Sequence, residues 1–185
     1  MKFDVVYTYG SPVLRDKAKP IGKVDERVRQ LARDLLLRMY ESDGVGLAAE
    51  QVGLTEAICV VDVSRREKVE PPEKTAALSD PPVEMPLTLV NPVITETTGK
   101  DRCKEGCLSF PEIYVEITRA AEVVVSYMDL AGNARTVRAR GMLARVIQHE
   151  VDHLHGILLV DRMSAVQKVA LAGQLRRLKR SARDE

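Results

Sequence analysis

One pentapeptide, His149-Glu150-Val151-Asp152-His153, limits what this chain can fold into more than any other feature. It lies in a segment, about 141–155, whose apolar residues Met142, Val146 and Ile147 recur at helical spacing and predict a largely buried helix that stops at Gly156. Four residues advance an α-helix by a little over one turn, so both imidazoles leave from one face and can meet a single ion. Glu150 follows the first imidazole and can reach the outer side of that ion without ligating it, which is where a general base is needed. Two histidines and a carboxylate on a buried helix require partners, so the rest of the fold must be wrapped around this element. His155 stands about 200° round the helix from His153 and is expected to face solvent.

A third ligand must come from elsewhere in the chain. Glu105-Gly106-Cys107-Leu108-Ser109 is the obvious source, because a cysteine after glycine can present its sulfur from a tight backbone. A Cys/His/His set leaves one position open for water. Cys103 is the rival: four residues earlier, it could close the site as a fourth ligand, but it lies between Arg102 and Lys104 without the Glu-Gly context. Cys59 falls inside an apolar run and is expected in the core. Such ligands accept Fe(II), Zn, Ni and Co.

The remaining segments outline an α+β domain in which antiparallel strands surround the central buried helix and a C-terminal helix follows. Val28, Leu31, Leu35 and Met39 predict a first helix from about Asp25, ended by Ser42-Asp43-Gly44 with the glycine as left-handed cap. Three glycines within 44–53 will not sustain a helix and allow close backbone approach. Strands are expected over 57–63, 87–94, 114–117 and 122–128, and over 134–139 after a turn at 129–133. Residues 65–86 carry five prolines and many charges, and they predict an exposed insertion. A further helix is expected over 165–182, with a basic end at Arg176-Arg177-Leu178-Lys179-Arg180. Residues 1–185 are expected to form a single catalytic domain.

The formal net charge of +1 gives no reason to expect tight nucleic-acid binding. No apolar run is long enough to span a bilayer. The N-terminus does not read as a secretory signal, and three cysteines, an odd and low count, argue for a reducing compartment, so a cytoplasmic location is expected.

Three segments, in order and with family-like spacing, resemble peptide deformylase. Gly44-Val45-Gly46-Leu47-Ala48-Ala49-Glu50-Gln51 is similar to its G-x-G-L-A-A-x-Q motif, Glu105-Gly106-Cys107-Leu108-Ser109 to E-G-C-x-S, and Gln148 through Gly156 to Q-H-E-x-D-H-x-x-G. The resemblance covers roughly residues 5–165, and the stretch 65–86 looks longer than in many members. It implies removal of the formyl group from N-formylmethionine of nascent polypeptides, with formate as product. It implies Cys107, His149 and His153 as metal ligands, with Fe(II) in the active form and Zn or Ni as alternatives, and Glu150 as the catalytic carboxylate. Gln51 and the backbone N–H of Leu108 would stabilise the oxyanion, and backbone groups at Val45 and Gly46 would pair with the substrate main chain. Met142 and Val146, on the helix face of His149, are candidates for the wall of a methionine slot or for simple core packing. Glu105 and Asp152 would orient ligands, although Asp152 could equally make a helix-surface ion pair. In some members the corresponding C-terminal helix contacts the ribosome. Two readings from other classes compete. A zinc endopeptidase shares H-E-x-x-H but mostly uses Glu or His as third ligand. A structural metal module would have a closed four-coordinate site including Cys103.

Overall fold

The computed structural model describes residues 3, 5–64 and 78–182. Helix α1 (Glu26–Glu41) begins at Asp25, whose side chain accepts a hydrogen bond from the Val28 N–H and caps an otherwise orphaned donor. Its apolar stripe, Val28, Leu31, Leu35 and Met39, is buried, as the spacing predicts. The left-handed residue at its end is Asp43 (φ 53°), not Gly44. Aspartate tolerates that conformation, and Gly44 serves another purpose: a Cβ there would lie 2.9 Å from Leu108 Cδ1.

A six-stranded antiparallel sheet has the order β1–β2–β4–β7–β8–β3, from β1 (Gly46–Ala48), β2 (Ile58–Val61), β3 (Ser79–Asp80), β4 (Leu87–Thr98), β7 (Glu122–Met128) and β8 (Ala134–Arg140). β5 (Asp101–Cys107) and β6 (Phe110–Arg119) form a separate two-stranded hairpin. β5 carries one apolar residue besides glycine until Cys107, so its strand character is invisible to hydrophobic patterning; pairing with β6 supplies it. β2 is buried along its whole length because helices cover both faces of the sheet. On one side Leu47, Ile58, Val60 and Val90 meet α1. On the other, Cys59, Leu89, Val125 and Val137 meet Leu143, Ala144, Ile147 and Val151 of α2 (Gly141–Leu154). The metal-motif helix is therefore the core of the domain. It ends at Gly156 (φ 69°), where a Cβ would lie 2.5 Å from the Arg15 carbonyl oxygen.

A third cluster ties the hairpin to the C-terminal segments through Leu14, Phe110, Ile113, Val115, Ile117, Leu158, Leu159 and Leu175. These segments are α3 (Leu159–Arg162), α4 (Ala165–Ala170) and α5 (Ala172–Ser181). The helix expected over 165–182 is thus two segments broken at Leu171 (ψ 3°), two residues before Gly173. Of the insertion expected over 65–86, residues 65–77 lie outside the described residues. Residues 78–86 are not wholly exposed: β3 pairs with β8, and Leu78, Val83 and Met85 pack against the core.

Candidate active site

α2 brings His149 and His153 together with ring centroids 5.1 Å apart. β5 delivers Cys107 to the same point, with its Sγ 3.3 Å from His153 Nε2. One ligand atom from each of the three lies within 4.8 Å of the others, and both histidines are mostly buried. A thiolate and two imidazoles are a donor set suited to a first-row divalent ion. His149 Nδ1 lies 3.3 Å from Glu105 Oε2, which leaves its Nε2 for an ion, the usual arrangement of a ligating imidazole. The residues present therefore fit a metal. Cys103 is exposed on β5 and outside this cluster, and Cys59 is fully buried in the core. His155 is exposed, with its ring turned to the Val151 carbonyl.

Glu150 is buried and its Oε2 has no hydrogen-bond partner among the described residues. Burial raises its pKa to about 7, against the opposing pull of His149 and Arg119. A Cβ on residue 46 would lie 2.3 Å from Glu150 Oε1, so the glycine makes room for this carboxylate. Gln51 is buried. Its Oε1 accepts from the Ala48 N–H (2.9 Å), and its Nε2 lies 3.1 Å from Ser109 Oγ and 3.7 Å from Cys107 Sγ. The amide nitrogen is thereby held toward the three-residue cluster. Leu108 occupies the turn between β5 and β6.

β1 is the edge strand of its sheet. Val45 C=O accepts from the Asp62 N–H (2.9 Å), so the antiparallel alternation turns Leu47 toward β2 and Gly46 and Ala48 outward. The Ala48 N–H is satisfied by Gln51, while Gly46 borders a cavity of about 640 Å³. Of the two backbone positions expected to meet substrate, Val45 thus has its carbonyl engaged within the fold and Gly46 carries the outward pair. The same cavity is bordered by Gln51, Cys107, Leu108, Met142, Val146, His149 and Glu150. Val146 is buried and Met142 is 38% exposed, so Met142 belongs to the cavity rim, not the core.

Three arginines that sequence reasoning missed organise the ligand side. Arg119 is bidentate to Glu105 (2.7 and 3.0 Å) and also donates to Asp152 Oδ2 (2.8 Å). Arg162 grips Asp152 from outside (2.9 Å), and Arg145 donates to Glu105 Oε1. Asp152 is therefore a buried ion-pair member, not a surface one. Burial raises the pKa of Glu105, but hydrogen bonds from His149 and Arg119 override it and hold the carboxyl down at about 2. It remains an anion behind His149. The detectable signal for Arg119 was its phase: Ile113, Val115 and Ile117 alternate inward along β6 and Arg119 is next in that series.

A sequence model of the family described as polypeptide deformylase matches residues 4–169. The chain belongs to the peptide deformylase family. The peptide deformylase of Synechococcus sp. (strain RCC307) is 42% identical over 174 residues, 94% of this chain and 79% of that protein. The crystal structure of the Synechococcus elongatus peptide deformylase in complex with actinonin is 38% identical, with a TM-score of 0.79 over 94% of this chain and 89% of that one. The Thermotoga maritima peptide deformylase, also 38% identical, superposes with a TM-score of 0.75 over 89% of this chain and 99% of that one. The chain is thus a metal-dependent hydrolase that removes the N-formyl group from nascent formylmethionyl polypeptides.

Proposed function

We propose that Cys107, His149 and His153 hold one divalent ion, Fe(II) in the active form with Zn or Ni able to replace it, and that Glu150, Gln51 and Leu108 carry the chemistry around it. The observation that carries this reading is the meeting of one sulfur and two imidazole nitrogens within 4.8 Å, beside a buried carboxylate oxygen with no partner among the described residues. When bound, the ion supplies Lewis-acid polarisation of water and of the formyl oxygen. Glu150 accepts the proton of the attacking water and returns it to the departing amine as the C–N bond breaks. Formate and a free amino terminus result. Gln51 Nε2 and the Leu108 backbone N–H donate to the oxygen that gains negative charge; losing one such donor typically costs on the order of 3 kcal/mol of barrier.

The outward backbone groups of Gly46 pair with the substrate main chain as an added strand, which gives affinity with little dependence on sequence. Val146 and Met142 line the slot for the methionine side chain. Among the described residues no helix is long and apolar enough to cross a membrane. The three free cysteines suit the reducing cytoplasm. Arg176, Arg177, Lys179 and Arg180 of α5 present a basic surface to the ribosome, and co-sedimentation with ribosomes that is lost on reversing these charges tests that contact.

The deciding experiment is deformylation of formyl-Met-Ala after anaerobic reconstitution with Fe(II), Zn or Ni, alongside Glu150→Gln. The expected result is one ion per chain in both proteins, with turnover only when Glu150 is present. Full turnover by the variant would refute the assigned role of Glu150.

A further inference from the structure

α3 is a single turn, yet it is held by more than its packing. Asp161 Oδ2 accepts from the Leu158 N–H (2.8 Å) and pairs with Arg15, which also donates to the Gly156 carbonyl (3.1 Å). Leu159, Val160 and Met163 are buried. These contacts fix the turn that carries Arg162, whose half-exposed side chain reaches Asp152 on the last turn of α2. Its Nε donates to Asp152 Oδ2 (2.9 Å) and its Nη2 to Oδ1. Oδ1 has no other donor among the described residues, and Oδ2 is shared with Arg119 Nη1 (2.8 Å).

From Asp152 two routes lead to the ligands. One runs through Arg119, which is bidentate to Glu105, whose Oε2 stands 3.3 Å from His149 Nδ1. With Arg162 gone, Arg119 becomes the only cation on Asp152, and its pull toward that carboxylate competes with its fork on Glu105. The other route is the backbone. Asp152 directly precedes His153, whose buried Nδ1 has no partner among the described residues. No hydrogen bond steadies that ring from behind, so its aim depends on the last turn of α2. Arg162, Asp152 and Arg119 do not border the cavity, so they can act on the reaction only through the ligands.

We propose that Arg162 is a positioning residue for the metal site: its fork on Asp152 fixes the last turn of α2 and leaves Arg119 to Glu105, which sets the aim of both ligating imidazoles. This rests on the metal reading above and deepens it. Losing a group directly behind a ligating imidazole typically costs about 10- to 100-fold in ion affinity or activity. Arg162 stands one contact further out, so a smaller effect of roughly 3- to 10-fold is expected. Geometry and not charge alone is at stake. Lysine keeps the positive charge but cannot span both oxygens of Asp152 in one plane.

The test compares the unaltered protein with Arg162→Met and Arg162→Lys, each loaded with Co(II), an ion that thiolate and imidazole ligands accept. Competition with a chelator reads the affinity, and the visible ligand-field bands of Co(II) report how the sulfur and imidazoles surround it. Both variants are expected to bind Co(II) roughly 3- to 10-fold more weakly, with shifted bands. In both, kcat for formyl-Met-Ala should fall while KM is unchanged, since no contact with the cavity is lost. An ion pair that served stability alone would lower the urea midpoint and leave the bands in place. Unchanged affinity and bands in Arg162→Met, or their full recovery in Arg162→Lys, overturns the proposal. Failure of the unaltered protein to take up Co(II) would remove the metal reading itself, and the proposal with it.

Discussion

Glu50 is fully buried on the turn just before Gln51, and neither of its carboxyl oxygens has a partner among the described residues. Burial raises its pKa to about 8, from an ordinary value of 4.5, with the nearby negative charge of Glu150 adding to the effect. Below about pH 4.5 the group is protonated in both folded and unfolded chains and adds no pH-dependent cost. Between there and about pH 8 the unfolded chain sheds the proton while the fold keeps it, so stability falls as pH rises. One pH unit in that window is worth about 1.4 kcal/mol, so at about pH 7, some 2.5 units above the unfolded value, the penalty is about 3 kcal/mol. Glu50→Gln keeps the shape and removes the titration. Urea unfolding of both metal-loaded proteins from about pH 5 to about pH 8 measures the effect. The expected gap in favour of the variant opens with rising pH, by about 3 kcal/mol at neutrality. A gap that stays constant across this range would refute the assignment of a buried, proton-retaining carboxyl.

Three further outcomes follow from the site. Gly46→Ala should cut kcat at least tenfold with metal content unchanged, because the added methyl would stand 2.3 Å from Glu150 Oε1; steady-state kinetics with metal analysis checks this. Arg119→Met leaves Glu105 and Asp152 short of a buried partner, so stability should fall by roughly 3–5 kcal/mol. Ion affinity in that variant should fall by about 10- to 100-fold, read by competition with a chelator. Cys103→Ser should leave both metal stoichiometry and turnover unchanged, since Cys103 is exposed and away from the cluster.

The parts of this structure visible in the sequence are those governed by local period. His149 and His153 share a face because four residues make a turn, and Val28 through Met39 declare a buried stripe. Cys107 was identifiable from its Glu-Gly setting. What stayed hidden depends on tertiary pairing. The inward direction of Glu105 follows from the register of β5 against β6, and β5 has almost no apolar residues to announce it, whereas Arg119 could have been read from its phase along β6. Arg145 shares a face with His149, but its anchoring by Asp101 requires the hairpin to fold back on α2. Glu50 and Gln51 sit on a short 3₁₀ turn, where neither helical nor strand period tells which side chains are buried. The break at Leu171 stands two residues before Gly173, but an isolated glycine is also tolerated inside a helix and does not by itself fix a boundary.

The central claim is that one sulfur and two imidazoles grip a single ion and leave it a free position. X-ray absorption at the metal edge of the zinc-loaded protein tests this most directly. The account predicts one sulfur at about 2.3 Å and two nitrogens at about 2.0–2.1 Å, completed by a light atom from solvent. A first shell without sulfur, or one with two sulfurs, would contradict it.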